Sequence, residues 1–145
     1  MTKPIQTLQQ AVTGKIVYVA TPWSVASFAP RFRRVARDRL RDFAQDACRH
    51  VAELGGIPVS PCLVTDAAGM LETGDPGFSG PCRREDGLLL GSRLMNICSV
   101  LVAFTDWGIS TGMDFESRIF QGVVRFEKLE DGNCAAVLLE RWRAK

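Results

Sequence analysis

Two short, β-branched, almost wholly apolar runs, Lys15 to Ala20 (KIVYVA) and Val100 to Phe104 (VLVAF), constrain the fold of this 145-residue chain more than any other feature. A strand with one face in water alternates apolar and polar residues. A run without alternation is stable only when both faces are covered, as in a parallel sheet between layers of helices. The intervening sequence supplies such helices. From Arg31 to Leu54 the residues Phe32, Val35, Ala36, Leu40, Phe43, Ala47, Val51 and Leu54 form one apolar stripe among Arg, Asp and Glu. Gly55-Gly56 suits the left-handed residue that closes a helix, and Ile57 to Pro61 (IPVSP) reads as a second strand.

From Cys62 to Gly87 the chain carries glycines at 69, 74, 77, 80 and 87 and prolines at 76 and 81, which predicts a long loop with one helical turn. Its position suggests a lid over a crevice. Leu88 to Asn96 resumes a helical pattern, Thr105 to Gly112 is a polar turn, and Met113 to Gly122 fits a helix with Phe115, Ile119 and Phe120 inward. Val123 to Phe126 fits a strand, and Cys134 to Trp142 suits a strand or a helix equally well. Alternating strands and helices predict a three-layer α/β fold, flavodoxin- or Rossmann-like, with a mostly parallel sheet of about five strands. Residues 15–145 are expected to form a single domain after an N-terminal extension, 1–14. Ligands in such sheets sit beyond the carboxyl ends of the strands, here Thr21 to Ser27, Ser60 to Thr65 and Thr105 to Met113.

Composition narrows the chemistry. Eighteen basic against 16 acidic residues leave a net charge of +2, too small for a phosphate-backbone binder, so no nucleic acid polymer is expected as partner. The five cysteines lack Cys-x-x-Cys spacing and there is a single histidine, His50, so neither a metal site nor a cofactor is expected. His50, beside Arg49 near a helix end, reads as a surface residue. Arg31, Arg33, Arg34, Arg37, Arg39 and Arg41 read as a solvated helix face balanced by Asp38, Asp42 and Asp46, with Arg31, Arg83 and Arg84 as phosphate candidates. No apolar run approaches the ~20 residues of a membrane span. Met1 to Gly14 lacks a signal-peptide core, which predicts a cytoplasmic protein that does not engage membranes.

The most informative stretch is Asp106 to Glu116 (DWGISTGMDFE), which leaves a buried strand and enters a helix. The backbone N–H groups of Ser110, Thr111, Gly112 and Met113 are then donors for an anion or a sugar hydroxyl. The same residues also read as a capped helix, with Thr111-x-x-Asp114 as the cap and Glu116 a solvated side chain. In the first crevice loop, Pro22, Trp23 and Ser24 are candidate ligand contacts, and Trp23 and Trp107 either stack on a flat ligand such as a base from opposite sides or simply pack.

Tyr18 in KIVYVATPW, the Gly55 to Pro61 run and Ile109-Ser110-x-Gly112-Met113-x-x-Glu116 resemble the nucleoside 2-deoxyribosyltransferase-like superfamily over residues 15 to 127. That resemblance implies cleavage or exchange of the N-glycosidic bond of a 2'-deoxynucleoside or its 5'-monophosphate. Glu116 matches the nucleophilic glutamate, which takes the deoxyribose as a covalent ester, and Tyr18 the tyrosine beside it. Ser110 matches a position that is acidic in nucleoside-using members and serine in monophosphate-using ones. An aspartate that assists base departure falls near Gly91 or Ser92, and Asp86, a turn and a half earlier, is the substitute. The resemblance also implies a homodimer or higher homo-oligomer. The alternatives are a nucleotide-binding or sensing module of the same fold with little catalysis, and a doubly wound interaction domain.

Overall fold

The computed structural model describes residues 6–25, 27–67, 84–129 and 140–143, those at 84–89 by their backbone alone. Four parallel strands, β1 (Ile16–Ala20), β2 (Ile57–Val59), β3 (Val100–Phe104) and β4 (Val123–Glu127), form a sheet in the order β2-β1-β3-β4. Helices α1 (Leu8–Val12), α2 (Arg33–Glu53), α3 (Pro61–Ala67), α4 (Arg84–Met95) and α5 (Thr111–Ile119) surround it, with a 3-10 turn at Pro30–Phe32 leading into α2. The fold is the expected three-layer α/β arrangement, with four strands rather than about five. Within the tail that suited either state, residues 140–142 are helical and Arg143 makes a lone antiparallel bridge to Phe28. The rest of that tail lies outside the described residues.

Alternation along β1 and β3 explains why both runs are almost wholly apolar. Val17, Val19, Val100, Val102 and Phe104 face α1 and α2, packing on Ala11, Val12, Phe43, Ala47 and Val51. Tyr18, Ala20, Leu101 and Ala103 face the other way, onto Met113, Phe120, Leu94 and Met95. Each fully buried Val or Leu contributes roughly 1.5–3 kcal/mol, so the two clusters are the main source of stability. A third cluster of Trp23, Val25, Phe28, Ala36, Leu40 and Trp142 lies where the chain leaves β1.

Several boundaries differ from expectation. Residues 8–12, within the stretch set apart as an extension, form a helix whose Ala11 and Val12 are buried in the first cluster. The predicted loop from Cys62 is shorter at both ends, because α3 runs to Ala67 and α4 begins at Arg84. Its expected role as a lid concerns residues 68–83, outside the described residues. In α5, Phe115 and Ile119 are 48% and 41% exposed, whereas Met113 and Phe120 are buried. The inward face is therefore Met113, Glu116 and Phe120, a stripe that an apolar count misses because its middle member is a carboxylate. The arginine face is not uniformly solvated: Arg37 is buried, and Arg41 pairs with Asp66 of α3 at 2.9 Å. His50 is half-buried with its ring edge-on to Phe104.

Candidate functional site

The chain leaves β1 for β2 on one side and returns to β3 on the other, so the carboxyl ends of β1 and β3 flank the reversal in strand order. In open α/β sheets ligands bind at that point, where the connections part and leave a crevice. Two of the expected site residues meet there. Tyr18, in the middle of β1 and paired with Leu101 of β3, is fully buried. Its phenol donates to a carboxylate oxygen of Glu116, one and a half turns into α5. The contact spans 98 residues of sequence, so the strand and helix must both be in place before it forms.

Burial dominates the electrostatics. It pushes the Glu116 carboxyl from 4.5 up to about 7, with the Tyr18 hydrogen bond pulling the other way. The phenol is driven far above its usual range by burial and then by the adjacent Glu116, so it stays protonated and serves as a donor. The site thus holds a carboxyl that changes charge near neutrality beside a hydroxyl that does not. That combination suits a carboxylate nucleophile or base oriented by a fixed donor.

Ser110 is the N-cap of α5: its hydroxyl accepts from the Met113 N–H at 3.2 Å. The cap lies one residue earlier than the expected Thr111-x-x-Asp114 pattern. Asp114 instead pairs with Arg118 at 3.0 Å on the exposed side. From α4, Gly91 lies close to Tyr18: a Cβ there would stand 3.0 Å from the Tyr18 hydroxyl and 3.8 Å from Pro61 Cβ. Position 91, one of the two near which the resemblance implies an aspartate, therefore adjoins Tyr18. Asp86 lies five residues earlier in α4, a rise of about 7.5 Å. Its side chain is outside the described residues, as are those of Arg83 and Arg84. Cys62 donates to the Thr21 carbonyl at 3.6 Å, tying α3 to the end of β1.

A domain family of unknown function, DUF7768, matches residues 15–122. The chain belongs to this family. No curated protein and no solved structure matches it. The DUF7768 segment runs from β1 through α5, so it contains Tyr18, Gly91, Ser110 and Glu116, while α1 and β4 lie outside it.

Other expected contacts within the DUF7768 segment lie elsewhere. Trp107 packs on Phe43 and Trp142, with ring centroids 6.3 and 6.4 Å away, on the α2 side of the sheet. Trp23 is buried in the third cluster, with the Arg37 guanidinium 4.6 Å over its ring and donating to its carbonyl at 2.8 Å. Neither indole belongs to the buried cluster that contains Tyr18. Among the described residues, Thr21 Oγ1 and Trp23 Nε1 are buried without a hydrogen-bond partner. Arg31, a phosphate candidate, lies over the Phe32 ring at 4.7 Å. Sequence reasoning missed Asp106, whose carboxylate accepts from the Leu129 N–H at 2.9 Å and anchors the chain after β4. It also missed the contact of Gly91 with Tyr18, for which the signal was a glycine inside a helical pattern.

Proposed function

We propose that this DUF7768 protein cleaves or exchanges the N-glycosidic bond of a 2'-deoxynucleoside or its 5'-monophosphate, with Glu116 as nucleophile. The observation that supports this most is the hydrogen bond from the buried Tyr18 phenol to Glu116 at the strand-order reversal. Ionised Glu116 attacks the anomeric carbon as the bond to the base breaks, giving an ester between the deoxyribose and Oε. Water or a second base then attacks the same carbon and releases the carboxylate, as in retaining glycosidases. Tyr18 fixes the carboxylate rotamer and, by donating to one oxygen, leaves the other to attack.

Ser110 favours a monophosphate. Its oxygen accepts from Met113, which leaves the hydroxyl proton available to a phosphate oxygen, and a neutral side chain does not repel the anion. By the same resemblance the protein acts as a homo-oligomer. Ile109, Phe115 and Ile119, on and beside α5, are exposed apolar side chains of the kind a second subunit covers. Light scattering tests this directly, with a dimer or larger species expected.

One feature favours a binding or sensing module instead. Neither Gly91 nor Ser92, near which the resemblance implies an aspartate that assists base departure, carries a carboxyl, and such assistance is typically worth ~10²- to 10⁴-fold. Incubation with a panel of deoxynucleosides and their monophosphates, with and without a second free base, separates the two. Base release or exchange that falls at least roughly 10³-fold in Glu116→Gln supports the enzyme. Saturable binding without turnover supports the sensor.

A further inference from the structure

We propose that Gly91 is a positioning residue for the Tyr18–Glu116 pair: lacking a side chain, it lets the α4 backbone lie against the Tyr18 hydroxyl and hold the phenol on the carboxylate. The inference concerns the pair itself, and rests on the function proposed above only for its catalytic consequence.

Glycine is a poor choice inside a helix, because it loses more backbone freedom on folding than alanine. Gly91 is buried, lies within α4 and is not among the glycines with positive φ, so backbone conformation does not demand it. Crowding does. The nearest atom to a Cβ at 91 is the Tyr18 hydroxyl oxygen at 3.0 Å, closer than such contacts ordinarily come, and Pro61 Cβ at 3.8 Å is at ordinary contact distance. Tyr18 cannot yield easily. It is fully buried, its ring is packed among Ala20, Leu101, Ala103, Met113 and Phe120, and its oxygen is bonded to Glu116. A methyl group at 91 therefore acts on the one atom that carries the hydrogen bond.

The chain has a single tyrosine, which makes the test specific. Thermal unfolding is measured for the full chain, for Gly91→Ala, for Tyr18→Phe and for the double variant. Gly91→Ala lowers Tm when Tyr18 is present. With Tyr18→Phe the obstructing oxygen is gone, and the same substitution leaves Tm unchanged or raises it, as Gly to Ala in a helix ordinarily does. Protein labelled with ¹³C at tyrosine Cζ gives one resonance for Tyr18. The titratable groups acting on Tyr18 are Glu116 from α5, Cys62 from α3 and Cys98 beyond α4. Burial pushes the Cys98 thiol up to about 11, well above neutrality. In the unaltered protein this resonance shifts with pH near neutrality, and Glu116→Gln abolishes the inflection. Gly91→Ala moves the resonance and weakens the inflection.

Both results are required. Equal Tm changes in the two backgrounds, or a tyrosine resonance and inflection unaffected by Gly91→Ala, overturn the proposal. A Gly91→Ala protein that folds only alongside Tyr18→Phe supports it, and one that folds in neither background overturns it. Neither readout depends on turnover, so failure of the glycosidase proposal is distinguishable from failure of this one.

Discussion

At the scale of single residues, the proton on Glu116 links stability to reactivity. The ordinary carboxyl, at 4.5, ionises in the unfolded chain while the folded one holds its proton up to about 7. Below pH 4.5 both states are protonated and the neutral carboxyl costs the fold nothing extra. As pH rises through this window the unfolded chain releases its proton first, so stability falls, by roughly 3 kcal/mol in total at about 1.4 kcal/mol per unit. Glu116→Gln removes the titration, and thermal unfolding from pH 5 to 7 is expected to show a flatter dependence than in the unaltered protein. In the proposed reaction the reactive form is the opposite one. Turnover at limiting substrate is expected to rise with pH through about 7, as Glu116 ionises. Tyr18→Phe deletes the bond that favours the ionised form, so that limb moves to higher pH, which a pH profile of initial rates checks.

At the scale of elements, α5 carries both parts of the site, Ser110 at its N-cap and Glu116 on its inward face. Ser110→Ala leaves the Met113 N–H without its cap and is expected to cost about 1 kcal/mol by chemical denaturation. If the hydroxyl also binds phosphate, the same variant weakens deoxynucleoside monophosphates while leaving the unphosphorylated nucleosides unchanged. Much of this was legible in sequence. The unbroken apolar runs of β1 and β3 require cover on both faces, and the structure supplies it. The α5 face was misread because periodicity assigns apolar residues to the core, whereas here the core-facing position holds Glu116. Both indoles pack against other side chains, one of the two readings the sequence allows, while Arg37 is buried rather than part of a solvated face. Trp142 comes from late in the sequence to pack on Trp107 and Phe28, a contact that local pattern does not encode.

At the scale of the whole molecule, the sheet order puts the β1 and β3 ends side by side, and the DUF7768 segment covers both. The fold uses more than that segment. Leu8, Ala11 and Val12 pack on the first cluster, and β4 pairs with β3 at five positions, from Val100 with Val123 to Phe104 with Glu127. A fragment of residues 15–122 leaves the buried strand β3 as an open edge. It is expected to lose cooperative thermal unfolding, and calorimetry against the full chain checks this. Within the crevice the central claim is a covalent one, that Glu116 takes up a deoxyribosyl group. The most direct measurement is the intact mass of the protein after incubation with a deoxynucleoside monophosphate and rapid acid quench. The account predicts a mass increase matching one deoxyribosyl 5-phosphate group, that is deoxyribose 5-phosphate less water, mapped to Glu116 by peptide fragmentation and absent in Glu116→Gln. Release of free base with no adduct at Glu116, at the same rate in Glu116→Gln, would contradict it.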